Sequence, residues 1–257
     1  AYFEKFVTAD DNWLPPDNFQ EHPVERIAHR TSPTNIGLSL LSNLAAVDFG
    51  YITYNQFLDR TSNSFATLQN METYRGHFYN WYDTLTTDPL PPRYISTVDS
   101  GNLAGMLLTL RQGIIAIPDQ PIIGSQLFDG LYDTLLILKD EQKKTEDIQS
   151  FQKNLDAIRN LHPITLSALK PLVEKLVETA ERIAADSTEI NLANRDIWAN
   201  SLLSQCKNVV REISILMPWA LLPPVPPRFA AIPGLDTIPT LAELSMLEGK
   251  LSTQLND

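Results

Sequence analysis

Between residues 165 and 185, apolar side chains recur at three- and four-residue spacing: Leu169, Leu172, Val173, Leu176, Val177, Ala180, Ile183 and Ala184. That period puts them on one stripe of an α-helix and excludes the two-residue alternation of a half-buried strand. The same spacing recurs along most of the chain. It predicts helices over 33–49 (Ile36, Leu40, Leu41, Leu44, Val47), 54–71 (Phe57, Leu58, Phe65, Leu68) and 100–112 (Leu103, Met106, Leu107, Leu110). Further helices are predicted over 125–141, 145–161, 165–185, 191–217 and 241–255. The expected fold class is all-α. Ser32 and Pro33 form a helix start, as N-cap and first helical residue, and Gly50 and Gly113 read as stops. In the 54–71 helix, Asp59, Arg60 and Asn63 fall opposite the apolar stripe. The proline-dense run 218–240 excludes a helix or central strand there.

The chain changes character near 114–124. Before it, helices alternate with long aromatic and polar loops; after it, helices are plain and most connections short. Two parts are expected, 1–118 and 119–257, the second a helical-bundle segment joined by the proline-rich 218–240 connection. Ala1 in place of Met, leading straight into an amphipathic segment, reads as a piece of something longer.

The formal net charge of −11 over 257 residues argues against a nucleic-acid surface or an anionic membrane, both of which need clustered positive charge. No stretch approaches the roughly 18 apolar residues of a membrane span. The single cysteine, Cys206, lies among Leu202, Leu203, Val209 and Val210 and reads as a small core residue. The histidines His22, His29, His77 and His162 show no metal spacing, and there is no glycine-rich phosphate loop or nucleophile elbow. Neither metal nor cofactor is expected.

If the first three helices are antiparallel neighbours, 33–49 and 100–112 run the same way and their N-termini share one end. The loop 72–98 falls at that end too, which so collects Arg30, Thr31, Thr34, Asn35, the run Phe78, Tyr79, Asn80, Trp81, Tyr82, Asp83, and then Asp99 and Asn102. The alternation through the aromatic run and the turn around 86–89 suggest a short irregular hairpin. Flat rings beside amides and carboxylates suit a sugar: rings pack on C–H faces and polar groups bond hydroxyls. Asp99 has two readings, as N-cap of the third helix or as a group that binds a hydroxyl or assists proton transfer. A glycosidase uses two carboxylates. Asp99 and Asp83 are the candidates, with Asp11, Asp17 and Glu21 weaker. Arg30 either contacts substrate or pairs with a carboxylate such as Asp99. The competing reading takes the aromatics as core, Asp99 as only a helix cap, and the helices after residue 124 as a module that packs on neighbouring domains of a longer parent, without chemistry of its own.

Residues 1 to about 112 closely resemble the middle region of bacterial cyclic β-1,2-glucan synthases. The resemblance rests on Leu14-Pro15-Pro16-Asp17-Asn18-Phe19-Gln20-Glu21, His29 through Leu38, Arg75 through Thr84 and Tyr94 through Gly105. It implies a very large parent at the cytoplasmic face of the bacterial inner membrane. In such parents an N-terminal glycosyltransferase elongates β-1,2-glucan from UDP-glucose. A middle glycoamylase-like (α/α)6 domain closes the ring by transglycosylation, and a C-terminal phosphorylase trims the chain. The first part here would be the opening of the middle domain, a partial toroid of antiparallel helices with glucan-facing loops at one end. Its partners would be β-1,2-glucan and the remaining domains of the parent. Ser96-Thr97-Val98-Asp99 is similar to a motif of related β-1,2-glucanases whose aspartate lies in the substrate cleft. One departure matters: the family's catalytic glutamates come further downstream and have no equivalent here. The resemblance thus implies that Asp99, Arg30, Thr31, Asn35, Tyr79, Asn80, Trp81, Tyr82, Asp83 and Asn102 line part of a cleft without completing it.

Overall fold

The computed structural model describes residues 2–140, 145–161, 165–188, 193–221 and 234–256. His162 and prolines 223, 224, 226, 227 and 233 lie outside them. The chain is all-α and forms two compact units, Ala1–Ala46 with Asn55–Ile115, and Val47–Tyr54 with Ala116–Asp257.

In the first unit, α1 (Tyr2–Phe6) leads through a 3-10 turn at Ala9–Asp11 into a loop. Two short strands, β1 (Phe19–Gln20) and β2 (Arg26–Ile27), close that loop as an antiparallel pair, and Phe19 packs 4.9 Å from the Phe6 ring. Then come β3 (Arg30–Thr31), α2 (Pro33–Asp48) and α3 (Tyr54–Asn70). Ser32 caps α2, its hydroxyl accepting from the Asn35 N–H at 3.2 Å. Arg60 on α3 does not face solvent with Asp59. Its guanidinium donates to Asn43 Oδ1 at 3.1 Å and to the Phe3 carbonyl at 2.8 Å, because it must satisfy polar groups where α3 meets α2 and α1. Ser64 and Thr67 donate to the carbonyls of Trp13 and Asn12, so the polar side of α3 fastens the loop.

Helix α4 runs Thr97–Ala116, longer at both ends than its apolar pattern predicts. Gly113 is not a stop. A side chain there would strike Leu44, as one at Gly37 would strike Met106. These two contacts give the register: residues 37 and 44 of α2 face 106 and 113 of α4, so the helices run parallel. Close approach at glycine lets their axes come together.

A buried hydrogen-bond node pins the loop to the rest of this unit. Asp11 is 6% exposed. Its Oδ1 pairs with His29 Nδ1 at 2.7 Å and accepts from the Thr84 hydroxyl, while the Thr84 N–H donates to the His29 carbonyl. Replacing Asp11 by Ala should strand the Thr84 hydroxyl and cost about 1–3 kcal/mol of first-unit stability. Denaturant unfolding followed by Trp13 fluorescence checks this; a loss within 0.5 kcal/mol would show the node to be incidental.

The second unit is a four-helix bundle of α5 (Ser125–Asp140), α6 (Glu146–Arg159), α7 (Leu166–Thr188) and α8 (Ala193–Leu216). α5 packs on α6 and α8, and α7 packs on the same two, as short links between successive antiparallel helices require. Phe128, Leu135, Phe151, Leu155, Leu169, Leu176, Leu202 and Cys206 are buried in one core. The last helix, α9 (Leu241–Asn256), opens with a reciprocal cap between Thr240 and Glu243.

Candidate functional site

The loop before α4 is not one hairpin but two. β4 (Thr73–Tyr74) pairs with β5 (His77–Phe78) around Arg75 and Gly76, both at positive φ. β6 (Tyr82–Asp83) then pairs antiparallel with β3, Arg30 opposite Asp83 and Thr31 opposite Tyr82. The turn expected around 86–89 is present, closed by Asp83 N–H to Asp88 carbonyl and Leu90 N–H to Trp81 carbonyl. Pairing with β3 joins this loop to the start of α2, since the strand ends on the residue immediately before the Ser32 cap.

The peg of the arrangement is Tyr82. It is fully buried; its hydroxyl donates to the Glu72 carbonyl and accepts from the Tyr79 N–H, each at 2.7 Å. Burial pushes its phenol up from 10.0 to about 12. Tyr82 therefore has no surface to offer a ligand, contrary to its place among the expected lining residues. Thr31, also fully buried, is excluded for the same reason. Asp83 faces its own turn, accepting from the Leu85 and Thr86 N–H groups at 2.8 and 3.0 Å.

Asp99 is not an N-cap. Ser96 takes that position, accepting from the Asp99 N–H at 3.1 Å through its hydroxyl. Asp99 sits three residues on, in the first turn, where a carboxylate meets the positive end of the helix dipole. The Ser96-x-x-Asp99 spacing carried that signal. Its side chain is then free to reach across to α2. Thr34 donates to Asp99 Oδ1 at 2.6 Å, and Asn102 donates to the Thr34 oxygen at 3.1 Å.

Asn80, 7% exposed, completes the group. Its amide nitrogen donates to Asp99 Oδ2 at 3.0 Å, and its oxygen accepts from Tyr94 OH at 2.7 Å and Trp81 Nε1 at 2.6 Å. This orientation is assigned because the reverse would set its oxygen against the carboxylate and its nitrogen against two donors. The Arg30 guanidinium carbon lies 4.7 Å from the Trp81 ring centroid. Arg30 pairs with Asp17 at 2.9 Å rather than with Asp99, and Asn35 donates to the other Asp17 oxygen at 3.3 Å. Tyr79 is half-buried, with Arg93 6.0 Å from its ring.

Arg30, Asn35, Asn80, Trp81, Asp99 and Asn102 are thus linked, with Tyr79 beside Tyr82, at the N-termini of two parallel helices. Thr34 and Tyr94 belong to the same network; Thr34 was expected at this end but not as a lining residue, and Tyr94 was given no role. Their partners lie 65 and 14 residues away, so no local pattern marks them. The group offers a half-exposed carboxylate, amides and part-exposed rings, which suits hydroxyl recognition. Among the described residues no cluster of three His, Cys, Asp or Glu could hold a metal, and no helix is long and apolar enough to cross a membrane.

No protein-family model matches the chain. Over 225 residues it is 38% identical to the cyclic β-(1,2)-glucan synthase NdvB of Rhizobium meliloti, an alignment covering 80% of this chain. The chain is homologous to a segment of a cyclic β-1,2-glucan synthase. The resemblance read from the motifs at 14–21, 29–38, 75–84 and 94–105 is borne out. The chain spans 8% of that synthase's length.

Proposed function

We propose that residues 1–118 supply part of the glucan-facing wall of a transglycosylation domain in a cyclic β-1,2-glucan synthase. In this reading they open a glycoamylase-like toroid, and residues 119–257 are the helical segment that follows in the chain. Trp81 and Tyr79 stack on sugar faces, while Asn35, Asp99 and Asn102 bond hydroxyls. Arg30, held by Asp17, sets the tilt of Trp81. The observation that carries the reading is the Asp99 network: a part-exposed carboxylate held by donors from two other segments, Thr34 of α2 and Asn80 of the loop, beside an indole. The whole chain's partners are then β-1,2-glucan and the remaining domains of the parent, which would provide the acid and nucleophile that this chain lacks. The parent would sit at the cytoplasmic face of the inner membrane.

Titrating linear β-1,2-glucan into the folded chain should perturb tryptophan fluorescence, and Trp81→Phe should remove most of that signal. Trp81→Ala should weaken binding by about 1–3 kcal/mol, the stacking term plus the apolar area of the ring. A flat titration at millimolar glucan would defeat the reading.

A packing role alongside binding is favoured by one feature. Val98, Leu108 and Ile115 of α4 are exposed at 69%, 65% and 53%. A purely structural module would show no glucan response while still associating with other segments of the parent.

A further inference from the structure

The way Asp99 is held points to which part of a sugar it takes. An ionised carboxylate has two oxygens and about four acceptor positions. Inside the protein, each oxygen of Asp99 is engaged once, Oδ1 by Thr34 and Oδ2 by Asn80. One acceptor position therefore remains on each oxygen, and the residue is only half-buried. Two parallel acceptors on one rigid carboxylate match two donors on adjacent carbons, that is, a vicinal diol.

The clamp is built rather than incidental. Asn80 is buried, and its own oxygen is occupied by Tyr94 and Trp81, so its nitrogen has to face Asp99. Thr34 is fixed by the α2 register and braced by Asn102. Both partners present donors, so the arrangement is complete only with an acceptor at position 99. Rotation of the carboxylate would break two bonds at once.

In a β-1,2-linked glucose chain, O1 and O2 of each inner unit are spent in linkages. The hydroxyls on C3 and C4 are then the adjacent pair left on the ring. We propose that Asp99 binds this 3,4-diol of one glucosyl unit through both oxygens, and that Asn80 and Thr34 are positioning residues that aim it. This rests on the glucan-binding reading above and adds to it the hydroxyl pair recognised.

The test compares two probes on the full chain: a linear β-1,2-linked glucotetraose, and the same tetrasaccharide O-methylated at its 3-hydroxyls. The wild-type chain should bind the unmodified sugar about tenfold or more tightly, one charge-assisted hydrogen bond being lost in the analogue. Asp99→Asn, nearly isosteric, should bring that ratio close to one, because an amide keeps only one acceptor oxygen and presents a donor NH2 in place of the other. Thr34→Val and Asn80→Ala should each shrink the ratio. A merely structural role would lower both affinities alike and leave the ratio unchanged. If one variant fails to fold, the other still reads the clamp. Equal wild-type binding of both probes, or a ratio untouched by Asp99→Asn, overturns the diol assignment while leaving glucan binding intact. Binding of neither probe overturns both.

Discussion

Replacing Gly50 by Ala is expected to cost the second unit about 2–4 kcal/mol. Two costs add. Gly50 has φ of +72°, a conformation that a Cβ disfavours, and it ends α2 by donating its N–H to the Val47 carbonyl at 2.9 Å. A methyl here would also overlap the backbone carbonyl of Gln126 in the first turn of α5. Backbone cannot step aside as a flexible side chain can. On the facing side Gly130 meets the same constraint, since a Cβ there would lie 2.6 Å from the Gly50 carbonyl carbon. Gly130→Ala should therefore destabilise the same unit by about 1–3 kcal/mol, and the double variant by less than the sum, because both changes force one separation. Unfolding followed by Trp198 and Trp219, which pack on the second-unit core, should shift, while the Trp13 and Trp81 signals stay put. An unaltered midpoint for Gly50→Ala would mean that the turn and α5 are not in contact as described.

Tyr82→Ala should be as damaging to the first unit, at about 3–5 kcal/mol, since it empties a fully buried aromatic site and releases Glu72 and Tyr79. Tyr82→Phe keeps the ring and loses only the hydroxyl, leaving a buried carbonyl and N–H without their partner, so about 1–3 kcal/mol is expected. The pH dependence has a definite sign. The folded phenol titrates at about 12 against 10.0 in an ordinary setting, so the folded state holds its proton more tightly. The resulting stability is complete below pH 10 and is lost as pH rises through about 12. Wild type should thus lose stability across that window more steeply than Tyr82→Phe. Parallel pH profiles would show that Tyr82 is not the titrating group. Because Tyr82 holds the segment that carries Asn80 and Trp81, Tyr82→Phe should also weaken glucan binding, without contact with the sugar.

Much of the scaffold could be read from the chain itself. Ser32 and Pro33 start α2, Gly50 ends it, and the apolar stripe over 165–185 becomes α7 with Leu169, Val173, Leu176, Ala180 and Ile183 in the core. The parallel run of α2 and α4 followed from counting turns. The candidate site was legible as a neighbourhood and not as a set of roles. Asp99 was expected near the N-terminus of α2, where it meets Thr34, but its capping partner, its two donors and the residue paired with Arg30 could not be read.

Helix, cap and turn are written locally, within three or four residues, because backbone hydrogen bonds and side-chain periodicity act over that distance. Residue composition and spacing therefore determined an all-α chain in which α2 and α4 run the same way. Which groups meet is a different matter. Thr34 reaches Asp99 only because Gly37 and Gly113 let α2 and α4 close up in one register; Tyr82 is interior only because β6 pairs with β3. Those outcomes depend on packing between segments far apart in sequence, where a shift of one residue would exchange every partner, so the tertiary structure alone decided them.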